Sequence, residues 1–277
     1  MSKINLDKFY TIPSISKKCI DTVFNLFDKD SFDFIIEPSA GNGSFYLQIS
    51  FTDKIGIDIK PDHSSIVKQD FLLYLPPLNK KNILTIGNPP FGKNSSLAIK
   101  FFNHASSFSN IIAFIVPRTF RKISIQNKLN LNLDLIYDED IPIRPCSFEP
   151  KMSAKCCFQI WQKKDKKRNI IHLPIEHTDW IFLPYGPKDN NNQPTSPENA
   201  DFAIRAYGGK IGEIKTENLR LLRPKSWHWI KSNIDKNTLL SRLNKLNFSN
   251  SLNTARQNSM GKAELVDLYT IFVNSKL

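Results

Sequence analysis

The strongest constraint in this sequence is a succession of short, unbroken apolar runs. They are "FDFII" at 32–36, "KIGID" at 54–58, "KNILTIG" at 81–87, "NIIAFIVP" at 110–117, "LDLIY" at 133–137 and "KCCFQIW" at 155–161. A strand that is apolar at successive positions has no face left for water. Such strands belong to mostly parallel sheets covered by helices on both sides. The segments between the runs supply those helices. "SISKKCIDTVFNLFD" at 14–28 puts Ile15, Cys19, Ile20, Val23, Phe24 and Phe27 at helical spacing behind a serine cap. "SFYLQI" reads as the start of another, and "NSSLAIKFFNHASSFS" sets Leu97, Phe101, His104 and Ala105 on one side of a third. The expected fold class is therefore α/β over roughly residues 14–165.

The composition changes after that. "QKKDKKRN" at 162–169 is a charge cluster, and "YGPKDNNNQPTSPENAD" at 185–201 reads as a long loop. A β-hairpin is expected around Gly208-Gly209, a strand at "SWHWIKSNI" and an amphipathic helix over 261–277. In a strand Trp227 and Trp229 share one face, which is expected to be a core face, with stacking on nucleobases as the alternative. The division that follows is 1–165 for one domain and 166–277 for a smaller C-terminal region or lobe.

Charge narrows the class of partner. The formal net charge is +12, which raises the local concentration of polyanions and points to nucleic acid. The sequence has no apolar run of membrane-spanning length and no apolar signal-peptide core at its start, so a cytoplasmic location without membrane contact is expected. Cys19, Cys146, Cys156 and Cys157 form no CxxC pair and read as reduced thiols. The five histidines show no metal-ligand spacing, and no metal is expected.

Three acidic residues follow strands. "EPSAGNGSF" at 37–45 is a strand-to-helix turn in which Gly41 and Gly43 let the backbone approach a ligand closely. It matches neither GxGxxG nor GxxxxGK[ST], which disfavours dinucleotides and nucleoside triphosphates. Glu37 just before the turn would repel a pyrophosphate and suit a cation. Asp58 at the end of the next strand is placed to accept ribose hydroxyls. Asp70, followed by Phe71, would bond an adenine amino group and stack on its ring. A sulfonium carrying an amino acid and a ribose satisfies all of these.

"GNPPF" at 87–91 then ends a buried strand with two residues that cannot donate to a ladder. In order, "EPSAGNGSF", "GIDIKP", "QDF" and "GNPPF" closely resemble the motifs of S-adenosylmethionine-dependent amino-group methyltransferases. Asn-Pro-Pro-Phe resembles the (Asn/Asp)-Pro-Pro-(Tyr/Phe) motif of the adenine-N6 enzymes, in the gamma-like motif order. "KFYTIP" at 8–13 resembles the segment that precedes the first motif there and lies over the methionine part of the cofactor. The resemblance covers about residues 8–165, and the rest has a loose likeness to target-recognition regions.

The resemblance implies a Rossmann-like class I methyltransferase fold with a mixed, mostly parallel seven-stranded sheet. It implies S-adenosylmethionine as cofactor, held by Phe9, Tyr10, Thr11, Glu37, Pro38, Ala40, Gly41, Gly43, Asp58, Ile59, Asp70, Phe71 and Asn88. It gives the catalytic role to Asn88, Pro89, Pro90 and Phe91. The chemistry fits those residue types. An aromatic amine is a poor nucleophile because its lone pair is delocalised into the ring. Asn88 Oδ1 and the Pro89 carbonyl would each accept an N–H and favour the pyramidal amine of the transition state. Pro89 and Pro90 fix φ, and Phe91 offers a ring for the base to stack on. Nucleic-acid contacts are expected from Phe91, Lys93, Arg118, Phe120, Arg121 and Lys122. DNA is favoured over RNA as the polymer. The rivals are transfer to RNA, transfer to a glutamine side chain in a protein, and a cofactor-binding subunit without catalysis.

Overall fold

The structure is a computed structural model that describes residues 8–275. The chain divides into two compact units, one ending at Ile170 and the other beginning at Ile171.

Seven strands make the sheet of the first unit, six of them from the apolar runs. They are β1 (Phe34–Glu37), β2 (Lys54–Asp58), β3 (Val67–Lys68), β4 (Ile83–Gly87), β5 (Ile111–Pro117), β6 (Leu133–Asp140) and β7 (Cys156–Lys163). Their order across the sheet is β3-β2-β1-β4-β5-β7-β6. The first five in this row pair in parallel, and β7 runs antiparallel to both β5 and β6. This is the expected mixed seven-stranded Rossmann-like sheet. Side-chain alternation explains why the central strands β1, β4 and β5 are buried at every position. Along β5, Ile111, Ala113 and Ile115 join one core cluster, and Ile112, Phe114 and Val116 join the other. The first cluster is closed by Cys19, Ile20 and Val23 of α1 (Pro13–Leu26), the second by Ala98, Phe101, Phe102 and Ala105 of α2 (Ser96–Ala105). Truncating one of the fully buried rings here, such as Phe114, costs about 3–5 kcal/mol.

Two local expectations are corrected. Helix α1 begins at Pro13 behind Ile12, and no side chain caps it. Proline at the first helical position has φ preset and no N–H to satisfy, so the serine cap is not needed. The segment after Gly43 forms successive turns, with Leu47 N–H donating to Gly43 O at 3.0 Å, rather than a regular helix.

The second unit is built on an antiparallel sheet of β8 (Trp180–Phe182), β9 (Phe202–Arg205), β10 (Ile214–Lys215) and β11 (Trp227–Ser232), in the order β8-β11-β9-β10. Strands β9 and β10 are the hairpin expected around Gly208-Gly209. Helices α4 (Lys236–Leu243) and α5 (Lys262–Asn274) close one face through Leu239, Leu243, Leu265, Val266 and Tyr269. (A short helix of the first unit, α3, spans Ile123–Gln126.) Trp227 and Trp229 lie on the other face and are buried, as a core face requires. The sequence reading had no helix at α4, although Asp235 caps it by accepting the Thr238 N–H at 2.8 Å. Lys276 and Leu277, the end of the expected last helix, lie outside the described residues.

The four cysteines are free, and Cys19, Cys156 and Cys157 are buried while Cys146 is half-buried. No helix among the described residues is long and apolar enough to cross a membrane.

Candidate active site

In an open α/β sheet the ligand crevice lies beyond the carboxyl ends of the strands, where the order of connection reverses. Here the chain runs outward from β1 through β2 to β3, then returns to the other side of β1 as β4. The crevice therefore opens between the ends of β1 and β4. Those ends are Glu37 and Gly87, and the two loops that follow are Pro38–Gly43 and Asn88–Phe91.

The first loop is held from below by the neighbouring strand. Ala40 N–H donates to Ile57 O at 2.9 Å, and Gly41 N–H donates to Asp58 Oδ2 at 2.9 Å. The other carboxylate oxygen of Asp58 accepts the Lys60 N–H at 2.7 Å. Gly41 has φ +51°, and a Cβ there would lie 2.8 Å from Tyr10 Cε1. A glycine is required both by the dihedral and by the aromatic ring above it. Tyr10 belongs to the segment that crosses the site: Tyr10–Thr11 pairs antiparallel with Phe148–Glu149. Tyr10 Oη donates to Asp62, which also accepts Lys8 Nζ at 2.7 Å. The Thr11 hydroxyl is buried and has no partner among the described residues.

Glu37 is 3% exposed and accepts the Tyr46 N–H at 2.6 Å. Burial pushes its carboxyl up to about 8, against the pull of the backbone donors, with the Asp58 charge adding to the rise. A buried carboxyl of this kind is neutral until a positive charge arrives beside it. Pro38 and Ala40 are buried in the same turn, and Gly43 opens its last part with φ +86°.

The second loop presents its acceptors. Asn88 is half-buried, and its Nδ2 donates to Phe9 O at 3.2 Å. That bond fixes the amide so that Oδ1 is the free end. Ser39 Oγ donates to Asn88 O at 2.9 Å and ties the two loops together. Among the described residues, neither Asn88 Oδ1 nor the Pro89 carbonyl accepts a hydrogen bond. Phe91 is half-buried, and its carbonyl accepts the Leu97 and Ala98 N–H groups at 3.1 and 3.2 Å, which anchors the loop to the start of α2.

Other sequence candidates sit differently. Asp70 caps a short turn by accepting the Leu72 N–H at 2.9 Å. Phe71 is 2% exposed, with its ring 5.2 Å from Phe101 and 5.0 Å from His104. Its ring packs into the core and offers no open stacking surface. Ile59 is exposed just past β2. Phe120 is fully buried against Phe102 and has no ring face for a base. Arg121 Nε binds both carboxylate oxygens of Asp138, at 2.9 and 3.0 Å, and Arg121 Nη1 binds Asp140 at 2.7 Å. Arg118 pairs with Asp140 at 2.7 Å, while its buried Nε has no partner among the described residues. Both guanidinium groups are thus engaged by acids of β6, which the sequence reading did not pair with them. Lys122 is half-buried at the start of α3, and Lys93 is exposed after the second loop. No group of metal-ligating side chains occurs among the described residues.

Sequence reasoning overlooked Ser39, Tyr46 and the Lys8–Asp62 pair. Ser39 stood inside the glycine turn, but only the fold shows that its hydroxyl reaches a loop 49 residues away.

No family model matches the chain, and no curated protein matches it. Similar solved structures include a putative RNA methyltransferase from Pyrococcus horikoshii, at 14% identity and a TM-score of 0.43, covering 59% of this chain and 91% of that one. A putative class I S-adenosylmethionine-dependent methyltransferase from Listeria monocytogenes shares 14% identity at a TM-score of 0.45, covering 60% of this chain and 63% of that one. The 23S rRNA methyltransferase ErmE shares 12% identity at a TM-score of 0.42, covering 58% and 71% respectively.

Proposed function

We propose that this protein is an S-adenosylmethionine-dependent methyltransferase acting on the N6 amine of adenine in nucleic acid, with DNA ahead of RNA. The observation that carries this reading is the pair of unspent acceptors, Asn88 Oδ1 and the Pro89 carbonyl, at the crevice where the sheet order reverses. The residues around the glycine turn fit the cofactor. Glu37 supplies a buried acid for a cation, and the orphan Thr11 hydroxyl awaits a polar partner. Asp58 keeps lone pairs for ribose hydroxyls beyond the two backbone bonds it already accepts. Phe9, Tyr10, Pro38, Ala40, Gly41, Gly43, Ile59, Asp70, Phe71 and Asn88 complete the proposed cofactor set. The bound cofactor supplies an electrophilic methyl group on a sulfonium.

Asn88 and Pro89 then act on the amine. Two acceptors held in place draw its N–H bonds out of the ring plane and localise the lone pair on nitrogen. Pro90 fixes the carbonyl direction, and Phe91 packs against the base. With the cofactor bound, the amine would take the methyl group from the sulfonium, and the proton held at Asn88 Oδ1 or the Pro89 carbonyl, acidic once the nitrogen is methylated, would pass to solvent. Residues 171–277 are proposed to recognise the polymer. Phe91, Lys93 and Lys122 remain the proposed contacts of the first unit, and Arg118 and Arg121 support the turn behind them.

The test offers tritiated S-adenosylmethionine and full-length protein duplex DNA, single-stranded DNA and total RNA in parallel at low salt, followed by digestion to nucleosides. Label in N6-methyladenosine or its deoxy form is the expected result, and the labelled polymer identifies the substrate. Label only in a protein extract transfers the assignment to glutamine. Measurable cofactor binding with no transfer anywhere leaves a subunit without catalysis.

A further inference from the structure

The second unit contains a cavity that the transfer chemistry does not use. It has a volume of about 540 Å³, within the range of pockets that hold small planar ligands. The chain enters it as it leaves β9 at Arg205 and runs on through Tyr207, Gly208 and Gly209, and Arg223, Trp227 and Gln257 line it as well.

Its floor is preassembled. The Arg205 guanidinium lies 4.4 Å from the centre of the buried Trp227 ring, and Arg205 Nε is fixed by Glu213 at 2.9 Å. The wall is equally fixed in its backbone. Tyr207 N–H donates to Ser226 O at 3.2 Å, and Gly208 N–H donates to Asn258 O at 2.9 Å. Yet the Tyr207 side chain is left in the open, at 49% exposure. Gly208 and Gly209 have φ of +64° and +57°. A Cβ on Gly208 would meet nothing nearer than Gln257 Oε1 at 3.8 Å. The left-handed dihedral is what calls for glycine at Gly208, and the space beside it is open toward Gln257.

Three side chains around this space are unspent. Among the described residues, the Arg223 guanidinium, the Gln257 amide and the Tyr207 hydroxyl have no hydrogen-bond or ion-pair partner. An exposed ring on a rigid backbone is a stacking platform for any base. An amide beside it carries both a donor and an acceptor, the set that reads a base edge. A free guanidinium matches a phosphate. The fixed, half-neutralised Arg205 supplies positive potential below without competing for a phosphate.

We propose that this pocket takes one unpaired nucleotide of the polynucleotide substrate, with its base on Tyr207, its edge at Gln257 and its phosphate on Arg223. The proposal rests on the nucleic-acid reading above. It gives the second unit a defined subsite where the sequence indicated only a basic lobe.

The experiment measures binding of fluorescein-labelled single-stranded DNA and RNA to the full chain by anisotropy over a salt series. The variants are Tyr207→Ala, Tyr207→Phe, Arg223→Ala and Lys245→Ala, the last removing a charge from the same unit beyond the end of α4. Tyr207→Ala is expected to weaken binding about tenfold and Tyr207→Phe to restore it. Arg223→Ala is expected to weaken binding several-fold and to lower the salt slope by about one. Lys245→Ala is expected to change affinity by less than about twofold. If the wild-type chain binds and the Tyr207 and Arg223 variants bind like it, or lose no more than Lys245→Ala, the pocket is overturned and the nucleic-acid reading stands. If the wild-type chain binds neither polymer, that reading fails and the pocket falls with it.

Discussion

The loop after β4 and the turn after β5 leave the same edge of the sheet from adjacent parallel strands. They are even bonded to each other downstream, through Ser95 Oγ and Thr119 Oγ1 at 2.9 Å. Their polar groups have opposite fates. After β4 the Asn88 Oδ1 and the Pro89 carbonyl accept no hydrogen bond among the described residues, while at Arg118–Arg121 the guanidinium groups are locked onto Asp138 and Asp140. Position at a sheet edge therefore does not by itself set whether a polar group is satisfied. What separates the two is whether the fold has already satisfied the group.

The contrast is broken most directly at Asn88. Asn88→Ala should lower the single-turnover transfer rate by about 100- to 1,000-fold, as removal of one aimed hydrogen-bonding group does elsewhere. Cofactor affinity by calorimetry should fall by no more than several-fold, the share of one among the proposed cofactor contacts. A collapse of affinity as well would make Asn88 a structural residue like its neighbours after β5.

A second test uses Glu37, whose group is buried and spent only in part. Its carboxyl rises from an ordinary value of 4.5 to about 8 on folding. The folded chain keeps a proton that the unfolded chain releases between those values. The stability this gives is intact below pH about 4.5 and is lost as the pH climbs toward 8. Glu37→Gln removes the titration, so the variant should gain on the cofactor-free wild type across that window, by on the order of a few kcal/mol. Denaturant melts at pH 5 and pH 8 measure it, and an identical difference at both would refute the assignment. Cofactor affinity of the wild type should rise over the same window, because the charged carboxylate is the form that a cation recruits.

The smallest effect is expected from the spent side. Arg121→Ala should cost about 1–2 kcal/mol of stability, because Asp138 is left partly buried without its strongest partner. Oligonucleotide affinity should be unchanged, whereas Lys93→Ala, at an exposed lysine with no ion-pair partner among the described residues, should lower the salt slope by about one. Equal losses of affinity in both variants would erase the distinction between the turns.

Much of this was legible in the chain. The strands announced themselves because burial on both faces leaves no alternation to mistake for a helix. The glycine turn and the Asn-Pro-Pro-Phe loop were visible because each needs residue types that few other positions tolerate. Pairing across the sheet was not legible. Nothing local in "KCCFQIW" says that β7 inserts between β5 and β6, and without that topology Asp138 and Asp140 do not come to Arg118 and Arg121. The burial of Phe120 was not legible for the same reason: an aromatic after a strand reads alike whether it turns toward solvent or toward Phe102. In the second unit the short ribbon of Gly186–Lys188 with Pro194–Thr195 leaves no pattern in a stretch that reads as a loop.

The cysteines offer a use that follows from where they lie. All four belong to the first unit, and three are buried. Burial pushes the Cys156 thiol up to about 12 and moves Cys19 and Cys157 in the same direction. Only the thiolate reacts with a maleimide or a disulfide reagent. At neutral pH these three sulfurs should therefore modify only when the sheet opens to water, while half-buried Cys146 modifies first. Counting labels against time on the unmutated protein would then act as a clock for opening of the first unit, silent to any motion of the second.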